Sequence, residues 1–262
     1  PRPISSAASD VYKRQTFIDY DICSMSLPSS GGIVLSQSLN ILENFDLTSY
    51  GHDSLEYNRL LTEAMRFSFA DRSEFLGDAD FNNFDISKIT SKKYAKSLAS
   101  IIKSSKSKVD IDSPGKYFNE SEETTHFSII DSNGNAVSNT YTLNTAYGSG
   151  IIAKGTGILM NNEMDDFSIK PGFPNFFGLV GSEANKVESK KAPLSSMTPT
   201  IVFQEGKPFL ITGSPGGSTI ISTVLQLLLN VLIFDMEIDE ASKAKRIHHQ
   251  CCLLYTSPSP RD

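Results

Sequence analysis

The sequence has no tryptophan, only three cysteines and four histidines among 262 residues, and no apolar run of bilayer length. Each scarcity excludes something. Cys251 and Cys252 fall in an atypical carboxy-terminal stretch, which leaves Cys23 alone, so neither a disulfide framework nor a zinc site follows. A single cysteine of this kind reads as a small buried hydrophobe. His126, His248 and His249 have no further ligand at metal-binding spacing and read as structural, with His126 close enough to Thr124 for a supporting hydrogen bond. The most apolar stretch, Ile220 to Phe234, is interrupted by Ser222, Thr223, Gln226 and Asn230 and falls short of the ~20 residues a membrane span requires. It reads as a buried helix. A net charge of −6 argues against nucleic acid as a partner. With 39% hydrophobic and 21% charged residues, the chain is ordinary globular material with enough length for a substantial core.

What is present is concentrated around the doublet Thr124-Thr125, which follows Glu122-Glu123. A threonine hydroxyl is a weak nucleophile unless a base stands beside it, and an amino-terminal threonine carries one in its own α-amine. That amine has a reference pKa of roughly 7.7 and is substantially neutral near neutral pH. Thr124 can gain it only if the chain is cut between Glu123 and Thr124. The plainer reading is a threonine-rich strand start.

After the doublet, two β-rich runs flank Asn133-Gly134, residues that tolerate positive φ, and form a hairpin. Turn length decides the register. A two-residue loop sets Thr125 opposite Thr142. A three-residue loop, Ser132 to Gly134 with a glycine bulge, pairs Asp131 with Asn135 and brings Thr142 opposite Thr124. The second register puts Thr142 and Asn144 on the face of Thr124, and it is the one expected.

Two further segments carry polar clusters. In GILMNNEMDDFSIKPGFPNFFGLVG, an apolar run ends in Asn161, Asn162, Glu163, Asp165 and Asp166 before a Pro/Gly-rich loop. Ionised acceptors there suit an ammonium ligand, and a solvated turn is the open alternative. In the segment around PLSSMTPTIV and GSPGGS, two strands joined at Glu205-Gly206 lead into a glycine-rich helix entrance. Such a turn exposes N–H donors for an anion or a developing oxyanion, and no lysine follows its last glycine to make a phosphate loop. The Gly216 and Gly217 amides fit an oxyanion hole, and a tight turn without a ligand is the alternative.

TTHFS, YTLNTAYGSG, NNEMDDFS, PGFPNFFGLVG, PLSSMTPTIV, GSPGGS and RIHHQ, taken in order, resemble the small subunit of γ-glutamyltransferases (γ-glutamyltranspeptidases), which are N-terminal-nucleophile hydrolases. MSLPSSGGI, LNILENFDL, FADRSEFLGDADF and KKYAKSLA are similar to the end of that family's large subunit. The resemblance covers roughly positions 16 to 250. It implies an α+β chain, a four-layer αββα sandwich incomplete at both ends, and self-cleavage between Glu123 and Thr124 into subunits that stay associated as a heterodimer. Residues 16–123 would then be the carboxy-terminal part of the large subunit, mainly helical and ending in an exposed linker from 103 to 123. Residues 124–250 would be a truncated small subunit. The stretches 1–15 and 251–262 look like non-native tails and are expected to stand outside the fold.

Carried onto these positions, the resemblance makes Thr124 the nucleophile, oriented by Thr142. Asn144, Glu163 and Asp166 meet the substrate α-amino end, Ser195 and Ser196 its α-carboxylate, and Gly216 and Gly217 form the oxyanion hole. Phe177 stands in the lid loop where many members carry tyrosine, and Glu163 where some carry glutamine. The family's α-carboxylate arginine lies in an earlier part of the large subunit, and no arginine of this sequence is assigned that role. The implied substrates are glutathione and other γ-glutamyl compounds, with water, amino acids or dipeptides as acceptors and no cofactor or metal. The implied location is the periplasm or cell exterior. A β-lactam side-chain acylase of the same architecture, and an inactive binding protein that keeps the fold, are the alternatives.

Overall fold

The computed structural model describes residues 12–104, 123–250 and 254–257. In chain order the elements are β1 (Tyr12–Phe17), β2 (Tyr20–Met25), α1 (Gly31–Leu42), α2 (Leu47–Tyr50), α3 (Leu55–Phe75), α4 (Ser87–Thr90), α5 (Lys92–Ser104), β3 (Thr124–Ile130), β4 (Ala136–Thr142), β5 (Thr200–Gln204), β6 (Lys207–Thr212), α6 (Ile220–Leu232), α7 (Ile238–Lys243), β7 (Arg246–His249) and β8 (Leu254–Ser257). Helices dominate the first half and strands the second, an α+β chain as expected. The linker expected from 103 to 123 lies outside the described residues between 105 and 122.

The main sheet has the order β1-β2-β5-β6, antiparallel throughout. Its central contact joins distant parts of the chain: Ile22 of β2 stands opposite Val202 of β5, and both are buried. Tyr12–Gln15 and Leu254–Ser257, expected outside the fold, are strand residues here: the first pair with β2 and the second with β7. Cys23, in β2, is half-buried and burial raises its thiol pKa.

Helix α1 is buried along its whole length, and each of its polar side chains makes at least one hydrogen bond, with Gln37 Oε1 and Asn40 Oδ1 left as buried acceptors without a partner among the described residues. Ser38 Oγ donates to Ser68 Oγ at 3.0 Å and Asn40 Nδ2 to the Thr90 carbonyl at 2.8 Å, which offsets the cost of removing these groups from water. A Cβ on Gly31 would lie 2.4 Å from the Met197 carbonyl oxygen, so only glycine lets the helix start against residues 195–198. Ser54 caps α3 through Tyr57 N–H at 3.1 Å, and Ser91 caps α5 through Tyr94 N–H at 3.1 Å. The i, i+3, i+4, i+7 set Ala95, Leu98, Ala99 and Ile102 buries one stripe of α5.

Helix α6 is the predicted buried helix, and its polar interruptions are fasteners. Gln226 exchanges two hydrogen bonds with the Ile247 backbone, at 2.8 and 2.9 Å, and Asn230 meets His52 at 3.0 Å. β3 and β4 form a separate hairpin laid on the main sheet, where Ser138 Oγ donates to the Thr212 carbonyl and accepts from Thr200 N–H.

Candidate active site

The hairpin has the three-residue turn. Asp131 N–H donates to the Asn135 carbonyl, Gly134 takes φ +82°, and Thr124 stands directly opposite Thr142. Thr124 Oγ1 donates to Thr142 Oγ1 at 3.4 Å, while Thr142 Oγ1 also accepts Asn144 N–H at 2.9 Å. The Thr142 hydroxyl is thus held from the strand end and in turn orients Thr124. Asn144 makes this possible by adopting φ +77°, a conformation asparagine tolerates better than most residues. Its Nδ2 donates to the Asn162 carbonyl at 3.2 Å, tying the hairpin to the acidic segment.

Thr124, Thr142, Asn144, Asp166, Phe177, Ser195, Ser196 and Gly217 line one open cleft of about 310 Å³, counting space continuous with solvent. Segments far apart in sequence therefore meet. Glu163 does not line the cleft, and its carboxyl is hydrogen-bonded to that of Asp166. Burial and then the Glu163 charge push the Asp166 pKa up to about 7, and the Arg72 guanidinium opposes the rise. Burial likewise raises Glu163. Gly216 and Gly217 open a 3₁₀ turn with φ +126° and +57°, values open to glycine. Thr219 Oγ1 donates to the Gly216 carbonyl at 2.8 Å and fixes the turn. A Cβ on Gly217 would lie 2.6 Å from the Phe177 ring, which occupies that space instead.

One expectation fails. His126 gives no support to Thr124: it shares the face of Thr124 but stands two residues, roughly 6.6 Å, along the strand, and its ring nitrogens meet its cross-strand partner Thr140 Oγ1 at 2.8 Å and Ser128 Oγ at 3.0 Å. Burial lowers its pKa. Among the described residues, no group of three His, Cys, Asp or Glu side chains could hold a metal ion.

A sequence profile described as Gamma-glutamyltranspeptidase matches residues 5–257. The chain belongs to the γ-glutamyltranspeptidase family. It is 53% identical over 233 residues to the Glutathione hydrolase proenzyme of Escherichia coli K12, covering 88% of this chain and 40% of the relative. A protein of the same name from Pseudomonas aeruginosa is 47% identical over 227 residues, covering 86% and 40%. The chain thus spans about 40% of the length of these curated relatives. Among solved structures, a cephalosporin acylase from Bacillus halodurans superposes with a TM-score of 0.72 at 21% identity over 91% of this chain and 40% of that one, a likeness of fold.

Beneath the cleft of this γ-glutamyltranspeptidase chain lie residues that sequence reasoning did not single out. Arg72, fully buried in α3, donates from Nε to Ser30 Oγ at 2.9 Å and from Nη2 to Ser196 Oγ at 3.2 Å. Burial lowers its pKa to about 10, against the pull of Asp166, so it stays charged near neutral pH. Ser30 Oγ donates to the Ser195 carbonyl at 2.8 Å and Ser29 Oγ to the Met197 carbonyl at 2.7 Å. Asn185 joins the two halves of the site, donating to the Asp166 carbonyl at 2.7 Å and accepting Leu194 N–H at 3.1 Å. A signal for Arg72 was available: Leu61, Met65, Ser68 and Arg72 share one helical stripe, and an arginine on a buried stripe must find partners.

Proposed function

We propose that the full-length protein carrying this chain is a self-processing γ-glutamyltransferase and hydrolase acting on glutathione and related γ-glutamyl compounds. The observation that carries this reading is the convergence of Thr124, Thr142, Asp166, Ser195, Ser196 and Gly217 on one cleft. The 53% identity to a glutathione hydrolase proenzyme supports it.

In the first stage Thr124 Oγ bonds to the Glu123 carbonyl carbon and the Glu123–Thr124 C–N bond breaks. Water then opens the resulting ester, leaving a Glu123 carboxylate and a Thr124 with free amine and hydroxyl. In the second, that amine takes the Oγ proton as Oγ attacks the γ-carbonyl of the substrate. The oxyanion is met by the Gly216 and Gly217 amides, and the proton passes to the departing amine. The γ-glutamyl ester on Thr124 is resolved by water, or by the amine of an amino acid or dipeptide. Asn144 and Asp166 take the substrate ammonium, with Glu163 acting on it through its hydrogen bond to Asp166, and Ser195 and Ser196 take its carboxylate.

The pairing of β2 with β5 and the clasp of Ser29 and Ser30 on residues 195–197 support a heterodimer after the cut, since both cross it. In the full-length protein the layers would complete an αββα sandwich, and the location would be the periplasm or cell exterior. An acylase has no substrate ammonium to satisfy, so the Asp166–Glu163 pair favours the glutamyl reading.

Denaturing electrophoresis of the full-length protein beside its Thr124→Ala variant tests this. Two polypeptides are expected from the first and one from the second, with γ-glutamyl anilide turned over only by the first. A protein that splits without releasing the anilide points to acylase chemistry, and one that stays whole to an inactive binding protein.

A further inference from the structure

The lid residue Phe177 is held from behind by a chain of hydrogen bonds whose polarity is fixed throughout. The Phe177 carbonyl can only accept, so the group facing it at 3.1 Å is the Gln250 amide Nε2. Gln250 Oε1 is then an acceptor and faces His248 Nε2 at 3.0 Å, which must carry the ring proton. That leaves His248 Nδ1 as an acceptor for the Ser222 hydroxyl at 2.8 Å. Burial keeps the imidazole neutral, with a pKa lowered to about 4, as this arrangement needs. The Phe69 ring meets the imidazole edge-on, with centroids 5.4 Å apart.

Both ends of this chain reach the oxyanion turn. Ser222 lies in the first turn of α6, and its one hydroxyl proton, shared between His248 Nδ1 and the Thr219 carbonyl at 2.9 Å, links the chain to the residue that fastens Gly216. At the other end the Phe177 ring fills the space over Gly217. Gln250 closes the circuit.

We propose that Gln250 is a positioning residue for the reaction: by holding the Phe177 carbonyl it keeps the Phe177 ring seated on Gly217 and limits the access of water to the γ-glutamyl ester on Thr124. The consequence is a bias in how that ester is resolved. Water adds to its carbonyl, Thr124 Oγ leaves with a proton, and glutamate is released; or an acceptor amine adds, loses its proton, and the transfer product is released. A seated lid slows the first route relative to the second. This inference rests on the reading of Thr124 as the acylated nucleophile.

The test compares full-length wild type with Gln250→Leu, Gln250→Glu, Phe177→Ala and the Gln250→Leu/Phe177→Ala double variant. The hydrolysis-to-transfer ratio is measured with γ-glutamyl anilide at one fixed dipeptide concentration. Gln250→Glu keeps the side-chain shape and, when ionised, replaces the donor to Phe177 with a charged acceptor. Both Gln250 variants should self-cleave normally and raise the ratio roughly three- to tenfold, the factor one hydrogen bond is worth. Phe177→Ala should raise it at least as far, and the double variant no further than Phe177→Ala alone. A matured Gln250 variant with the wild-type ratio overturns the proposal, as does an additive double variant. If neither Gln250 variant matures while Phe177→Ala does, Gln250 serves folding and not the lid, and the proposal is equally overturned. Wild type that neither splits nor releases anilide contradicts the proposed function instead.

Discussion

The Arg72 guanidinium donates to Ser196 Oγ at 3.2 Å, and Ser196 lines the same cleft as Thr124. One buried cation thus bears on the hydroxyl proposed to meet the substrate carboxylate and on Asp166, proposed to meet its ammonium. A hydrogen bond to a charged donor is worth about 1.5–3 kcal/mol. Arg72→Met is therefore expected to raise KM for a γ-glutamyl anilide by roughly tenfold to a hundredfold in any protein that matures, with a smaller rise for Arg72→Lys. Steady-state kinetics of the two variants give the comparison. An unchanged KM in matured Arg72→Met would show that Ser196 needs no such support.

The carboxyl pair predicts a pH dependence with a definite sign. Burial and the Glu163 charge push the Asp166 pKa up to about 7, and an ammonium ligand favours its ionised form. KM should fall as pH rises through 7 and level off above it. Glu163→Gln removes the neighbouring charge that raises Asp166, so the midpoint should move to lower pH. A pH profile of kcat/KM for both proteins reads the shift, and a midpoint that does not move would dissociate Glu163 from Asp166.

Gly217→Ala should damage catalysis through geometry. The new methyl meets the Phe177 ring at 2.6 Å on a backbone with φ +57°, so the turn must move. Loss of an aligned oxyanion donor typically costs about 10²–10³ in kcat. Adding Phe177→Ala should recover only the steric part, leaving the double variant well below Phe177→Ala alone. Equal kcat for those two would mean that Gly217 donates nothing to the oxyanion.

Asn185→Ala leaves the buried Asp166 carbonyl and Leu194 N–H without their side-chain partner. Unpaired buried groups cost about 1–3 kcal/mol each. A lower melting temperature together with a raised KM is expected, because the ammonium and carboxylate sites lose their common tie. A melting temperature equal to wild type would place this brace outside the stability of the site.

Much of the site was legible in the sequence because local chemistry decides it. Asn133-Gly134 marks the hairpin turn, and the three-residue loop expected there, which Asp131 fastens, sets Thr124 against Thr142. The apolar run of α6 is equally local. What could not be read involves partners far apart along the chain. Ser30 and Ser195 are joined through a backbone pairing across 165 residues, and no periodicity announces it. His126 illustrates the same limit in reverse: nearness in sequence to Thr124 counts for nothing when the strand turns its ring toward Thr140 and Gly213.

The central claim is that Thr124 becomes an amino terminus, and intact-mass spectrometry of the folded full-length protein tests it most directly. The account predicts two polypeptides, the second beginning at Thr124, and a single uncut mass for Thr124→Ala. A folded wild-type protein that keeps one mass, or whose new terminus lies elsewhere, would contradict it.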